Sequence, residues 1–333
     1  MAVLQNVEQK EKGKNIVILD RSAFYPTSGG QVHDLGTLFF GNRHYQVYDV
    51  QKVGKCFLHY LDHEVEESAV GQAVDGQIDV ERRNTLRAFH TGTHIVYAAA
   101  RRVLGPHIWQ NGAKKTENYA HLDITHYSSI SKEVEMEIEN EANRIILEGH
   151  PIRKYFEGKK EAEAKHGFNL YQGGIVPGNE IRVVNIEGVD VEACCGTHCD
   201  NTAEVGWIKI FKSSRVSDGI LRLYYMANKK VLKSLNEEAT VINNLKDLWG
   251  INQGEIVQTA KRFFEDYKKY EKETQIQKIS LLGMHVRYIT EAKHDLFLIP
   301  SLEKELTLYF ANVKTHLAPI VVTPSLFRKI TRL

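Results

Sequence analysis

His90 and His94 stand four positions apart in a stretch where Leu86, Phe89, His90, Thr93, Tyr97, Ala100 and Val103/Leu104 recur every three or four residues. That period predicts a helix, and a helix stacks i and i+4 side chains on one face, so both imidazoles can reach one ion. The pair alone is weak, because 15 histidines in this chain would give about 0.7 such pairs by chance. His59 and His63 form another, on an expected strand and its turn, where four residues span about 13 Å and cannot chelate in the same way. What gives the first pair weight is a second cluster, Ala193-Cys194-Cys195-Gly196-Thr197-His198-Cys199, which holds three of the chain's four cysteines beside a histidine. Gly196 would permit the tight turn that a chelating loop needs. Two helical histidines, His198 and one cysteine make a tetrahedral set suited to zinc, with Cys194 and Cys195 both open as the thiolate. The bland alternative is a buried, inert cysteine and histidines that merely cap or pack. A zinc protease would need glutamate directly after the first histidine as general base. Thr91 stands there, which disfavours peptide hydrolysis by that route.

The elements that must position these residues follow from pattern. Short apolar runs broken by glycines, at Ile16 to Leu19, Thr37 to Phe40, Tyr45 to Val50 and Cys56 to Leu61, predict a small antiparallel barrel or curled sheet. The helix carrying His90 and His94 ends at Gly105-Pro106. A strand is expected at Asn118 to Thr125, then a helix capped by Ser131, with Glu133 and Glu135 in its first turn, running to about Leu147. Further strands are expected at Ile152 to Phe156, Ile181 to Ile186, Val189 to Ala193, Gly206 to Val216 and Ile220 to Met226. From Ala227 two stripes, Leu232 to Trp249 and Ile256 to Thr274, predict an antiparallel helical hairpin with coiled-coil character. Leu296 to Pro300, Leu302 to Thr315 and Ala318 to Thr323 read as one strand-helix-strand unit. The fold class is therefore α+β, with a barrel domain over 1–80, a zinc-binding domain over 81–226, a helical hairpin over 227–282 and a small α/β segment over 283–333 that is expected to dock on the hairpin, on the rest of the chain or on a second subunit.

Composition narrows the function classes. The 333 residues suit two or three domains, and 42% hydrophobic with 26% charged residues is ordinary globular composition. The 43 Lys and Arg nearly cancel the 42 Asp and Glu, so a polyanion must find a local patch. Arg82, Arg83, Arg87, Arg101, Arg102, Lys114 and Lys115 lie in a stretch, 82–116, that contains no acid, and this excess is expected to grip phosphates. No secretory pattern or stretch of about 18 apolar residues is present, and few cysteines fit a reducing compartment. The expectation is a cytoplasmic protein with no membrane.

Four motifs in order carry a family likeness. Asp20-Arg21-Ser22-Ala23-Phe24-Tyr25-Pro26-Thr27-Ser28-Gly29-Gly30-Gln31, His90-Thr91-Gly92-Thr93-His94, His107-Ile108-Trp109-Gln110-Asn111-Gly112-Ala113 and Cys194 to His198 closely resemble the alanyl-tRNA synthetase editing region, which also forms the free-standing AlaX proteins. Leu122-Asp123-Ile124-Thr125-His126-Tyr127 looks most like the archaeal type. Threonyl-tRNA synthetase has a related domain, but the Phe24 to Gln31 run and Trp109-Gln110 favour the alanyl branch. The resemblance implies hydrolysis of seryl- or glycyl-tRNA(Ala). By it His90, His94, Cys194 and His198 match the metal (Zn2+) positions, and Gln110 and Thr27 match active-site residues. Gly29, Gly30 and Gln31, together with the basic residues Arg83, Arg87, Lys114 and Lys115, are expected to contact substrate. Two departures are visible: Ser28 stands where the family often has a third glycine, and Cys195 replaces a glycine. No Gly-rich phosphate loop and nothing resembling an adenylate-forming core is found. The expected partners are tRNA(Ala), a second copy and a separate N-terminal synthetase half. The alternatives are a free-standing AlaX-type protein and a non-catalytic tRNA-binding dimerisation subunit with structural zinc.

Overall fold

The computed structural model describes residues 2–11, 14–174 and 176–291. The strand-helix-strand unit expected over Leu296 to Thr323 lies outside them. The fold is α+β, and contacts divide it into two compact units, 1–240 and 241–333.

Strands β1 (Ala2–Glu11), β2 (Lys14–Leu19), β3 (Gly36–Phe40), β4 (Arg43–Val53), β5 (Cys56–Leu61) and β6 (Ala73–Ile78) close into an antiparallel barrel in the order β1-β2-β5-β4-β3-β6. β1 and β6 were absent from the sequence reading; their polar residues, GlnAsn and GluGlnLysGlu in β1 and AspGlyGln in β6, give no clean alternation. In β4 the register slips between Val47 and Asp49. This bulge shifts the phase so that Tyr45 and Val47, then Val50, all face the core. Val17, Leu38, Val47, Val50, Leu61 and Val74 fill the barrel.

The chain continues through α1 (Val80–Leu104), β7 (Gln110–Lys115), β8 (Ala120–Thr125) and α2 (Lys132–Glu148). Ser131 caps α2 by accepting from Val134 N, as expected, and Asp79, for which no cap was expected, caps α1 by accepting from Arg82 N. Gly149 ends α2 in the left-handed region at φ 70°. Next come β9 (Ile152–Gly158), α3 (Lys159–His166), β10 (Glu180–Ile186) and β11 (Asp190–Ala193), then β12 (Ile208–Ser217) and β13 (Ile220–Ala227). α3 escaped the sequence reading because it buries only Ala162, leaving no apolar stripe to detect.

Two sheets flank the centre of this unit, a three-stranded one ordered β11-β10-β9 and a four-stranded one ordered β12-β13-β8-β7. α1 runs through the core, buried without interruption from Ala88 to Ala100. Tyr225 of β13 pins it: its hydroxyl donates to Phe89 O at 2.8 Å and pairs with the Thr93 hydroxyl at 2.7 Å. The barrel loop that follows β2 crosses to β7, where Lys115 N donates to Gly30 O at 2.7 Å and Val32 N to Lys115 O at 3.3 Å. Glycine is required at Gly30, which combines φ 73° with an approach to Ala113 O that would put a Cβ 2.1 Å away.

Helices α4 (Lys229–Trp249) and α5 (Ile256–Glu291) complete the described chain. α5 continues through Gly283, so no helix end marks the boundary expected at 282. Within the expected apolar stripes Leu232, Leu235, Phe263, Tyr267 and Tyr270 are exposed, while Ile242, Leu245, Trp249 and Ile256 are partly buried. Trp249 and Phe263 do meet edge to face, with ring centroids 5.4 Å apart.

Candidate metal centre

α1 and the turn after β11 bring four buried donors together. His90, His94, Cys194 and His198 place one ligand atom each within 4.8 Å of the others. His90 Nε2 and His198 Nε2 each lie 3.3 Å from Cys194 Sγ. With Zn–N near 2.0 Å and Zn–S near 2.3 Å, a tetrahedral edge is about 3.5 Å, so the spacing fits zinc. Cys195 is exposed and Cys199, though buried, pairs its backbone N with Thr91; the cluster uses Cys194.

Each imidazole has its Nδ1 engaged, which fixes ring orientation and leaves Nε2 of His90 and His198 facing Cys194 Sγ, while Nε2 of His94 also meets Gln172. His90 Nδ1 meets Gln31 Oε1 at 2.8 Å. His198 Nδ1 meets Thr91 Oγ1 at 3.3 Å. His94 Nδ1 faces Glu192 Oε2 at 2.8 Å and Asp190 Oδ2 at 3.3 Å. The turn itself is tied down by Arg182, whose guanidinium donates to Cys194 O at 2.7 Å and Gly196 O at 2.9 Å. Lys154 donates to Cys199 O at 3.1 Å.

Electrostatics follow from burial. Burial, then the charge of Lys115, holds His90 well below the usual imidazole range, and burial, then His94, does the same to His198. Burial also opposes a charge on His94, yet the carboxylates of Glu192 and Asp190 outweigh it and hold that ring well above its ordinary value. The Cys194 thiol is lowered, burial notwithstanding, by His94. Burial and the neighbouring Glu192 raise Asp190. Two rings are thus kept neutral, as metal ligation requires, and a cation replacing the proton of His94 would meet the same carboxylates.

The other expected site residues divide. Gln110 opens β7, buried, with its Oε1 unpartnered. Gln31 is fully buried behind the metal cluster, accepting from Thr197 N and Oγ1 as well as facing His90, so it orients a ligand. Gly29 and Gly30 take φ 56° and 73°; a Cβ on Gly29 would lie 3.8 Å from the His90 ring. Thr27 is exposed, and its hydroxyl is engaged with His33 Nδ1 at 3.0 Å and His33 N at 3.2 Å, not with the cluster. Gly196 has a stronger reason than its turn: a Cβ there would fall 1.9 Å from His90 Cε1.

The basic stretch is corrected by its tertiary neighbours. Arg83 forks onto the buried carboxylate of Asp34, with Nε 3.0 Å from both oxygens, and donates to Ala23 O. Arg87 pairs with Glu204 at 2.6 Å, Arg102 with Glu141 at 2.8 Å, and Arg82 with Glu117. Lys115 is buried, donates to Gly29 O at 3.0 Å, and is pushed down to about 8 by burial. Of the expected basic contacts Lys114 and Arg102 are exposed, and Arg102 is the one of the two paired with an acid, Glu141. Asp34, Glu141 and Glu204, which pair with Arg83, Arg102 and Arg87, lie far from the stretch in the chain, whereas Glu117 sits one residue past its end.

Sequence reasoning also missed residues. Asp190, Glu192 and Cys194 alternate along one strand face, a signal that could have joined the carboxylates to the cluster. Gln172, in the loop before β10, gave no such signal. Its Nε2 lies 3.2 Å from His94 Nε2 and also donates to Glu192.

Comparison with known proteins agrees with this arrangement. Residues 181–224 match the threonyl and alanyl tRNA synthetase second additional domain. Residues 2–82 match the class II (A) tRNA synthetases, the stretch that holds the Asp20 to Gln31 motif. The chain is 42% identical over 262 residues to an alanine–tRNA ligase of Methanosphaera stadtmanae, covering 78% of this chain and 29% of that protein. For Methanopyrus kandleri the figures are 44% over 256 residues, 77% and 28%; for Pyrococcus furiosus, 41% over 259 residues, 78% and 28%. A buried His/Cys cluster on an α+β frame with these matches defines a region of the class shared by threonyl and alanyl-tRNA synthetases. The chain carries an alanyl-tRNA synthetase-related editing region, with relatives of archaeal type. It spans 28% to 29% of the length of these three relatives.

Proposed function

We propose that this chain hydrolyses the ester of seryl- or glycyl-tRNA(Ala), acting as the C-terminal half of an archaeal-type alanyl-tRNA synthetase. The observation that carries this reading is the convergence of His90, His94, Cys194 and His198, each imidazole held from behind by Gln31, Glu192 or Thr91. These four residues would hold zinc. A zinc ion there would supply a Lewis acid beside an ester carbonyl or water. Gln110 offers a buried, unpartnered acceptor to orient a water or the substrate's hydroxyl or amino group. The Gly29-Gly30 turn lies beside His90, where a Cβ on Gly29 would be 3.8 Å from both the His90 ring and Tyr25 Oη. Tethering of Lys115 to Gly29 O fixes that turn against β7.

Deacylation of seryl-tRNA(Ala) tests the reading. His94→Ala is expected to abolish hydrolysis while tRNA binding falls little; a wild-type chain that leaves the ester lifetime unchanged would refute it. One observation favours a second reading, a structural zinc in a non-catalytic tRNA-binding subunit. All four donors are protein side chains and buried, and closed sets of this kind are typical of structural sites. Equal loss of tRNA binding and hydrolysis in His94→Ala would favour that account. Mixing the chain with a candidate N-terminal synthetase half separates the remaining alternative: gained alanylation supports a divided synthetase, and deacylation without it supports an AlaX-type protein acting in trans. The exposed apolar stripes of α4 and α5 support self-association as a homodimer.

A further inference from the structure

With Arg82, Arg83, Arg87 and Arg102 paired to acids and Lys115 buried, the surface that could hold RNA must lie elsewhere. The four-stranded sheet packs one face on α1 and α2; among the described residues its other face carries the exposed side chains of Lys114, Tyr119, Phe211 and Lys212. There the strand register lines up one row across all four strands: Lys212 of β12 opposite Tyr224 of β13, Tyr224 opposite His121 of β8, and His121 opposite Lys114 of β7. A bulge between Ile210 and Lys212 adds Phe211 to the row. Phe211 and Tyr119 are 39% and 41% exposed and flank Tyr224 at ring distances of 6.1 and 6.3 Å. His121 stands 5.7 Å from the same ring. Lys212 Nζ lies 5.5 Å over it, and Lys114 and Lys212 are both exposed. Asp123, the carboxylate in the next row, is neutralised by Arg222 through contacts of 2.6 and 2.8 Å.

We propose that this face binds single-stranded RNA, with bases stacking on Tyr119, His121 and Phe211 and phosphates meeting Lys114 and Lys212. Rings bordered by lysines on an open sheet are the combination that single strands use, since every base has a face to stack and every linkage a charge to neutralise. A protein-binding patch would be depleted of lysine, whereas this one has lysine at both ends of its row. An A-form duplex buries its base faces and would leave the rings unused. β7 connects the face to the metal centre: Lys114 points to the open side while Lys115 reaches Gly29 on the other. Identifying the RNA with unpaired nucleotides of the tRNA rests on the editing reading; the binding surface does not.

The test uses the full chain and a fluorescent twelve-nucleotide single-stranded RNA, read by anisotropy across a salt series, with a duplex of the same sequence as comparison. Tyr119→Ala with Phe211→Ala is expected to weaken binding about ten-fold or more at unchanged salt slope. Lys114→Gln with Lys212→Gln is expected to flatten the slope of log affinity against log salt by about 0.7 per lysine removed. The lysine pair gives an independent readout if the aromatic pair lowers the melting temperature. Parental affinity and slope in both variants, or a preference for the duplex, would overturn the proposal. KM and kcat for seryl-tRNA(Ala) separate the two readings. Weaker RNA binding in a chain with no deacylation keeps the surface and removes the editing function. Hydrolysis with KM unchanged in both variants keeps the function and removes the identification of the bound RNA with unpaired nucleotides of the tRNA.

Discussion

Single atoms decide the metal centre. Gly196 has no side chain because the His90 ring occupies the space where a Cβ would go, 1.9 Å from Cε1. Gly196→Ala must push that ring off Nε2–Sγ geometry, so the purified variant is expected to hold less than half the zinc of the parent by metal analysis. A second residue, Glu192, acts on His94 from behind, 2.8 Å from Nδ1. Glu192→Gln keeps the shape and removes the charge that favours a metal-bound imidazole. Its zinc affinity is expected to fall about 10- to 100-fold in chelator competition, with the fold unchanged by circular dichroism.

At the scale of elements, α1 joins the barrel loop, both sheets and the cysteine turn. Arg83 at its first turns is a staple rather than a phosphate contact, because its partner Asp34 is fully buried and also accepts from Tyr25 N. Removing one member of a buried pair leaves an uncompensated charge. Arg83→Ala is therefore expected to cost about 3 kcal/mol in denaturant unfolding, while the salt dependence of RNA binding stays as in the parent. The sequence made α1 plain through its 3.6-residue period and α2 through the Ser131 cap with Glu133 and Glu135 in the first turn. α3 and β1 were illegible for the opposite reason. An element with one buried residue, or with polar side chains along its length, leaves no periodic record.

For the whole molecule, the apolar residues left in solvent on α4 and α5 point outward from this chain. Leu232, Leu235 and Leu248 are 54%, 45% and 76% exposed, and burying such side chains stabilises association by about 1.5 to 3 kcal/mol each. Sedimentation is expected to show a dimer in the parent, and Leu232→Glu with Leu235→Glu to shift it towards monomer. The same scale explains why a basic stretch in the sequence made a poor guide to RNA. Glu204, Glu141, Glu117 and Asp34 reach Arg87, Arg102, Arg82 and Arg83 from other elements, so charge that looks concentrated along the chain is cancelled across it.

The sequence by itself determined what depends on short-range order. The i, i+4 histidines share a face because a helix has 3.6 residues per turn, the Cys-x-x-x-His turn follows a strand, and the caps sit where the periods change. Which cysteine joins the three histidines, which side chain stands behind each ring and which lysines stay exposed were settled by the fold in three dimensions. Those outcomes depend on residues distant in the chain meeting at fixed distances. Burial and pairing then set the charge and orientation of a side chain more strongly than its neighbours in sequence can.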